Sequence, residues 1–579
     1  MNVSNLTREA QIRKELREDE HPGIYPQVNT DIETWKLYEL SQDKVAFCEK
    51  LVKETWERIQ QLKSKDGELE EELSKTIYLE NIRLKQDPWK IDSKEEKAFW
   101  ENAKKRLLQR SIKSMSNENE QEDDQAGIYK EIINSYAQEI IGNFEPKSYA
   151  FASKALPFGF NRLLNASNRS YDRFWGEQFS LTDNIKPFGY IDEIRRLSKL
   201  GTVVLLPTHH SNLDSILIGW CLHSLGLEAF QYGAGLNLYN NPIMKYFFSR
   251  LGAYKIDRRK KNLFYLETLK AYSRYSTLRG VPSIFFPGGT RSRDGQLEER
   301  LKLGLVGTVM DAQRINFQEA TPENPAKKIF AVPMVLNYHF VLEAEKLISQ
   351  HLKKQGQEKY FIDKQALPGI HKITKFLYKF LGAKSEVFLS IGKPMDLFGN
   401  DLDAKGNSID KDGNIIQVRD YFVSGGKITA DYQRDSVYTR MLGEEISKRF
   451  YRENIVLSSH IVTYAAFSIL SKKHRRLDLY GLLRLPKEDR QIPKVQFYKV
   501  VESLRQRLLT MDKEEQVRLS SKVYGNLEGL IADGLKNSGI YHPKKVLKID
   551  KEGNFLTDDM NLLYFYHNRL KGYELEKYV

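Results

Sequence analysis

The stretch HHSNLD, from His209 to Asp214, follows an apolar run from Thr202 to Leu206. A short apolar run of this kind predicts a buried strand, so we expect His209 at the C-terminal edge of that strand. An imidazole can take a proton there when a carboxylate fixes its tautomer, and Asp214 is the candidate carboxylate. The stretch therefore predicts a general base and its partner.

The spacing of these two residues is weak by itself, because about one half to one such pair arises by chance in a chain with 11 histidines. The residues around this pair favour a functional role for it. We expect His209 in a loop and Asp214 in the first turn of a helix, since apolar residues from Ile216 to Cys221 continue with helical spacing. Ser211 or Asn212 is expected to cap this helix. The alternative is a buried turn histidine beside a helix-start acid.

A second stretch, FPGGTRSRDG, begins at the end of the apolar run from Val281 to Phe286 and predicts an anion-binding loop. Arginine binds phosphate through two parallel hydrogen bonds, and hydroxyl groups and glycine-rich backbone complete such a cradle. Arg258 would add a further cation, although a solvated charge in the basic run 258–261 is the alternative. The candidate binding residues are Arg258, Gly289, Thr290, Arg291, Ser292 and Arg293.

No cofactor and no metal site is expected. The loop after Phe286 lacks the Gly-Lys-Ser/Thr ending of an ATP-binding loop, and YGAGLN at 232–237 lacks the third glycine of a dinucleotide fingerprint. Cys48 and Cys221 lie far apart in the sequence, and the histidines form no cluster with the spacing of metal ligands.

Composition suggests a protein that works at a membrane surface without crossing it. The 579 residues are 41% hydrophobic and 29% charged. No apolar stretch reaches the roughly 18 residues that span a bilayer. The charged N-terminus predicts no signal peptide, and two cysteines fit a cytoplasmic setting.

The net charge of +13 predicts an anionic partner. No nucleic-acid-binding motif is visible, so nucleic acid is not expected. An anionic membrane surface is the simpler candidate, because each basic residue near such a surface contributes about 1 kcal/mol. The segment from Lys147 to Asn165, rich in aromatic, apolar and basic residues, is a possible membrane-contact segment. The alternative is a buried interdomain helix.

Three regions are expected along the chain. Residues 1–170 form an N-terminal helical region that includes an acidic linker near 116–125 and the possible membrane-contact segment 147–165. Residues 171–470 alternate short apolar strands with helical stretches, which predicts an α/β core. Residues 471–579 are helical in pattern. The expected strands cover residues 202–206, 281–286, 329–336 and 386–391.

Four stretches together resemble the glycerolipid acyltransferase superfamily. HHSNLD resembles its first motif, LGAYKIDRR at 251–259 its second, FPGGTRSR at 286–293 its third and AVPMVLNYHFVLEA at 331–344 its fourth. They occur in the order of the family, and the resemblance covers residues 176–465. NIVLSSHIVTYAAF from Asn454 and LLYFYHNRL from Leu562 are similar to segments of the long glycerol-3-phosphate acyltransferases.

This resemblance implies a central mixed β-sheet flanked by helices. It also implies transfer of a fatty acyl group from acyl-CoA or acyl carrier protein to glycerol 3-phosphate, which gives lysophosphatidate. His209 would be the general base, oriented by Asp214, and the enzyme would be peripheral on the cytoplasmic side of the cell membrane. The alternative acceptors are 1-acylglycerol 3-phosphate and dihydroxyacetone phosphate, and the alternative of a different class is a non-catalytic membrane-binding scaffold.

The third motif departs from the family pattern at Gly288, where the family usually has glutamate. A carboxylate that would help to hold the acceptor is therefore missing from this position. Asp257, Asp294 and Glu343 are the candidates to replace it. The main-chain amides near Gly288 and Gly289 are predicted to donate to the oxyanion that develops during acyl transfer.

Overall fold

The computed structural model describes residues 7–20, 23–65, 67–115, 122–153, 184–240, 242–356, 386–540 and 542–579. The strands of its central sheet are β1 (Ile185–Gly189), β2 (Gly201–Pro207), β3 (Gln231–Gly235), β4 (Ala253–Ile256), β5 (Ser283–Ile284), β6 (Lys328–Tyr338) and β7 (Val387–Ile391). Their spatial order is β1-β7-β6-β2-β5-β3-β4. The predicted α/β fold with a central mixed sheet is confirmed.

The middle strand of this sheet, β2, is buried from Thr202 to Pro207. Burial at every position, rather than at alternate ones, is typical of a strand covered on both faces. β2 pairs in parallel with β5 on one side and with β6 on the other, whereas β7 runs antiparallel to β6. Because β2 and β5 are parallel, the loops that follow them leave the sheet at the same edge.

One strand of the sheet is shorter than the sequence predicted. The apolar run 281–286 contains only the two-residue strand β5. Pro282 has no N–H to donate to a neighbouring strand, and the carbonyl of Phe286 accepts from Gly289 in a turn. The chain therefore enters and leaves the sheet within a few residues.

The N-terminal region is helical, as the pattern predicted. Its helices are α1 (Arg8–Glu18), α2 (Lys36–Gln42), α3 (Lys44–Leu62), α4 (Glu68–Gln86), α5 (Lys94–Met115) and α6 (Glu122–Ile140). The predicted acidic linker 116–125 is partly wrong, because α6 begins at Glu122. Residues 116–121 lie outside the described residues.

The helices of the core connect its strands and pack against the sheet. They are α7 (Ile191–Leu200), α8 (Asp214–Ser224), α9 (Pro242–Phe248), α10 (Leu263–Leu278), α11 (Gly304–Gln318) and α12 (Ala344–Gly356). Residues 146–153, in the first part of the proposed membrane-contact segment, are also helical, and the rest of that segment lies outside the described residues.

The C-terminal region follows with α13 (Tyr432–Arg452), α14 (Ser458–Lys473), α15 (Leu479–Leu483), α16 (Lys494–Lys513), α17 (Ser521–Tyr524), α18 (Leu527–Asn537) and α19 (Met560–His567). The predicted domain boundary at residue 470 lies inside α14, which packs against α16, α18 and α19. One hydrophobic core continues through all three regions, from Trp35 to Leu575. No helix in the described ranges has both the length and the apolar character needed to cross a bilayer.

A buried arginine ties the N-terminus to the C-terminal region. Arg518 is fully buried, and its guanidinium lies 2.7 Å from Oε2 of Glu9 in α1 and 2.5 Å from Oε2 of Glu453. It also donates to the hydroxyl of Ser390 in β7. These contacts fix α1 against the outer part of the sheet and against the C-terminal helices.

Replacing Arg518 by Ala should lower the free energy of unfolding by about 3–5 kcal/mol, because the buried carboxylate of Glu453 would lose its counter-charge and that of Glu9 would keep only Arg13. Urea denaturation followed by circular dichroism measures the effect. Arg106→Ala is the matched control, since Arg106 forms a surface pair with Glu131 and should cost less than about 1 kcal/mol. Equal losses for the two variants would contradict the structural role of Arg518.

Candidate active site

The structure brings His209 and Asp214 together at the C-terminal edge of β2. His209 lies in the loop after β2, and Asp214 is the first residue of α8. Nδ1 of His209 is 2.7 Å from Oδ2 of Asp214. Since an ionised carboxylate only accepts hydrogen bonds, Nδ1 carries the proton and Nε2 is the basic nitrogen. The imidazole lies against Phe286 and keeps 16% of its side-chain surface exposed.

Asp214 is completely buried and is held by four donors. Its Oδ2 accepts from His209 and from the main-chain N–H groups of His210 and Ser211. Its Oδ1 accepts from the hydroxyl of Tyr338, at the end of β6. A carboxylate with this many donors is fixed in orientation and stays a hydrogen-bond acceptor for the imidazole.

The predicted helix cap is wrong. The residue that caps α8 is Leu213, and its side chain makes no capping hydrogen bond. The hydroxyl of Ser211 instead donates to Oε2 of Glu343, and the N–H of Asn212 donates to Oε1 of the same carboxylate. The hydroxyl of Ser211 also accepts from the N–H of Leu213 at 3.2 Å, just before the helix begins.

The second histidine of the pair has a different role. His210 is buried, and its Nε2 is 2.6 Å from Nη1 of Arg569, just after α19. Arginine can only donate, so Nε2 of His210 accepts and the ring is neutral. Burial lowers the pKa of His210, and the charge of Arg569 lowers it further. Arg569 also donates to the carbonyl of Leu336 and to the side chains of Asn337 and Asn454.

The loop after β5 forms hydrogen bonds with both the N–H and the carbonyl of His209. The N–H of His209 donates to Oε1 of Glu298 at 2.8 Å, and its carbonyl accepts from the N–H of Ser292 at 2.7 Å. The hydroxyl of Ser292 is bound inside the loop by Asp294 and by the carbonyl of Gln296. The two sequence motifs are thus joined directly at the base.

The three candidates for the missing carboxylate are all engaged elsewhere. Asp257 is buried against Arg259, Asp294 accepts from Ser292, and Glu343 holds the loop after β2. The carboxyl group beside Gly288 is that of Glu298, whose Oε1 is 3.1 Å from where a Cβ of residue 288 would stand. The acid nearest to position 288 is therefore Glu298, and a role of Asp257, Asp294 or Glu343 in holding the acceptor stays a prediction.

The residues of the basic run after β4 differ in their exposure to solvent. Arg258 is exposed, whereas Arg259 is half-buried and Lys260 is buried. A solvated charge run is therefore wrong for Arg259 and Lys260, which join the second motif to the N-terminal helices. Their acidic partners are Asp92 and Asp257 for Arg259, and Glu96 and Glu139 for Lys260.

Among the predicted anion-binding residues, Arg291 lies 3.3 Å from Oε1 of Glu343 and is largely buried. A further cation, Lys302, lies over Gly289, whose φ of +70° needs a glycine and whose missing Cβ would be 2.5 Å from Cδ of Lys302. Burial lowers the pKa of Lys302, and the charges of Arg258 and Arg293 lower it further. Arg258 and Arg293 therefore lie close enough to Lys302 for their charges to act on it.

The predicted oxyanion donor at Gly289 is wrong. Its N–H donates to the carbonyl of Phe286 at 2.9 Å and closes the turn after β5. Thr290 lies in the same loop and is partly buried.

Four residues of this site were missed in the sequence. Lys302 follows the predicted loop closely enough to have been included, and Tyr338 and Arg569 lie in stretches already singled out. Glu298 gave no signal, because the run EER at 298–300 is typical of a solvated surface. Its contact with His209 exists only in three dimensions.

The chain is similar in sequence to known acyltransferases. The Acyltransferase family model matches residues 190–336. The glycerol-3-phosphate acyltransferases of Pseudomonas putida (strain GB-1) and Pseudomonas entomophila (strain L48) are 27% and 26% identical over 227 residues, which cover 39% of this chain and 25% of theirs. The match therefore spans about a quarter of the length of these relatives.

A solved structure, the 1-acyl-sn-glycerophosphate (LPA) acyltransferase PlsC from Thermotoga maritima, matches 51% of this chain and 92% of its own. Its identity is 16% and its TM-score 0.19, so no argument rests on it. The family model places an acyltransferase domain at residues 190–336, and this part of the chain is similar to the glycerol-3-phosphate acyltransferases.

Removing the base should stop catalysis without unfolding the protein. We expect His209→Ala to lower kcat by at least about 100-fold, as is typical of the loss of a general base. Asp214→Asn should also be severe, because an amide can no longer favour the proton on Nδ1. Release of free thiol from the acyl donor measures the rate, and circular dichroism checks the fold. A folded His209→Ala variant within a few-fold of wild type would exclude His209 as the base.

Proposed function

We propose that this protein transfers a fatty acyl group from an acyl thioester, acyl-CoA or acyl carrier protein, to glycerol 3-phosphate and forms lysophosphatidate. The observation that carries the proposal is the pairing of a partly exposed imidazole with a buried carboxylate, next to a loop in which arginine and lysine side chains gather. A base beside several cations is suited to an alcohol that carries a phosphate.

The chemistry needs no covalent enzyme intermediate. Nε2 of His209 takes the proton of the acceptor hydroxyl while the hydroxyl oxygen attacks the thioester carbonyl carbon. The carbonyl oxygen becomes an oxyanion, and the C=O double bond forms again as the C–S bond breaks. The thiolate leaves and takes up the proton from the imidazolium, whose charge Asp214 stabilises. The imidazole is thereby returned to its starting state.

Three acceptors compete in this proposal. A purified-protein assay that crosses glycerol 3-phosphate, 1-acylglycerol 3-phosphate and dihydroxyacetone phosphate with acyl-CoA and acyl carrier protein as donors tests them together. We expect the highest kcat/KM with glycerol 3-phosphate. A higher kcat/KM with another acceptor would reassign the substrate, and the absence of acyl transfer with every pair would favour a membrane-binding scaffold.

The phosphate of the acceptor should be bound by Arg258, Arg291, Arg293 and Lys302. We expect Lys302→Ala to raise KM for glycerol 3-phosphate at least about tenfold, because a charge-assisted contact contributes about 1.5–3 kcal/mol. The KM for the acyl donor should change less. Steady-state kinetics with each substrate varied in turn measures both. Wild-type protein that acylates glycerol as well as glycerol 3-phosphate would contradict phosphate binding by these cations.

We also propose that the protein binds peripherally to an anionic membrane surface on the cytoplasmic side of the cell membrane. The support is the net charge of +13 and the segment 147–165, in whose described part Phe151 is 60% exposed. An aromatic side chain that protrudes near basic residues is suited to a lipid interface. Phe158 and Phe160 of this segment lie outside the described residues.

Binding to vesicles should depend on salt and on these aromatic residues. We expect flotation with anionic vesicles to weaken as salt rises, because charges are screened over about 10 Å at 0.1 M salt. Replacing Phe151, Phe158 and Phe160 by Ser should reduce flotation further. Val495→Ser is the matched control, since Val495 is 82% exposed in the C-terminal region. Unchanged flotation of the triple variant would exclude this segment as the contact.

A further inference from the structure

Glu298 was not among the predicted site residues, yet its carboxyl group lies beside the main chain of His209. Its Oε1 accepts from the N–H of His209 at 2.8 Å. Its Oε2 is buried and has no hydrogen-bond partner among the described residues. A buried carboxyl with one oxygen on the base's main chain and the other unsatisfied needs an explanation beyond packing.

Gly288 gives the second observation. The backbone of Gly289 has a positive φ, but that of Gly288 does not, so conformation does not require a glycine at 288. A Cβ at 288 would stand 3.0 Å from Cγ of Glu298 and 3.1 Å from its Oε1, which is a tight contact. A side chain at 288 would therefore press on the Glu298 carboxyl group and shift it by a few tenths of an ångström from its position at the main chain of His209.

The charge around Glu298 fits a group that is not needed as an anion. Burial raises the pKa of Glu298 to about 7, and the nearby charge of Asp214 also raises it. The hydrogen bond from His209 and the charge of Arg569 act in the opposite direction. Either protonation state leaves Oε1 able to accept from His209.

We propose that Glu298 is a positioning residue for His209, and that a side chain at 288 would compete with the Glu298 carboxyl group for the same space. Glu298 acts through the main chain: it fixes the N–H of His209 while Ser292 fixes the carbonyl. The imidazole is then held between Asp214 and Phe286 with Nε2 toward the acceptor. The proposal rests on the proposed function in taking His209 as the base.

Loss of this hydrogen bond should affect turnover rather than binding. Without Glu298 the buried N–H of His209 loses its acceptor, and the loop must move to find another. A base displaced by a fraction of an ångström lowers the rate of proton transfer, but the cations of the acceptor site stay in place. The expected signature is therefore a low kcat with an unchanged KM.

The first experiment compares substitutions at 298. We expect Glu298→Ala to lower kcat at least about tenfold, with KM for glycerol 3-phosphate within about twofold of wild type. Glu298→Gln should stay within about threefold of wild type, because its amide oxygen can accept the same bond. Glu299→Ala is the matched control, since Glu299 is the exposed neighbour and contacts Gln296 and Tyr451. A tenfold loss in Glu298→Gln would overturn positioning by this bond.

The second experiment moves the carboxyl group to its neighbour. In the double variant Gly288→Glu with Glu298→Ala, the new side chain can reach the vacated position of Oε1, so kcat should recover to at least about a third of wild type. Gly288→Ala alone should lower kcat by displacing Glu298, yet should have no effect when Glu298 is already alanine. A double variant no more active than Glu298→Ala, or additive effects of the two alanine substitutions, would overturn the proposal.

A measurement without substrates separates this proposal from the proposed function. Hydrogen exchange of the peptide 206–213 should speed up in Glu298→Ala and return to the wild-type rate in Glu298→Gln. If wild type transfers no acyl group but exchange follows this order, the positioning contact stands and the proposed function fails. Unchanged exchange in Glu298→Ala would overturn the contact itself. If Glu298→Ala does not fold, the exchange of the same peptide is measured in Gly288→Ala instead.

Discussion

The carboxylate of Asp214 is completely buried and accepts hydrogen bonds from an imidazole, two main-chain N–H groups and a tyrosine hydroxyl. A buried anion is tolerated only when its lone pairs are used in this way. These bonds fix the turn between β2 and α8, so the direction of His209 follows from them. The carboxylate of Glu343 likewise accepts hydrogen bonds from the same loop, from Ser211 and Asn212, and it also accepts from Arg291.

The regions outside the sheet explain how loops at its edge can be so well fixed. On one side, Arg259 and Lys260 enter a buried ionic cluster with acids of the N-terminal region. On the other, Arg569 of the C-terminal region reaches the end of β6 and His210. Burial lowers the pKa of Arg569 to about 10, which reflects the cost of enclosing a guanidinium. Such buried charges are strongly directional, and they restrain loops that apolar packing alone would leave free.

The cationic edge of the site shows the opposite arrangement. Burial and the like charges of Arg258 and Arg293 lower the pKa of Lys302. A folded protein gives up some stability in gathering like charges, and functional sites are where this is commonly found. His209 lies instead beside the buried carboxylate of Asp214, in a hydrogen-bonded environment.

The sequence by itself determined the α/β core, three of the four expected strands, the helical flanks and the pairing of His209 with Asp214. These follow from local periodicity and from motifs whose residues lie close together in the chain. It did not determine the cap of α8, the length of β5, the helical end of the acidic stretch 116–125 or the carboxyl group beside Gly288. Only the tertiary structure decided that Glu298 takes this place, that Arg569 lies behind His210 and that Lys260 is buried. Each depends on contacts between segments far apart in the chain, and a charged residue has the same sequence signature whether it ends in solvent or in a buried pair.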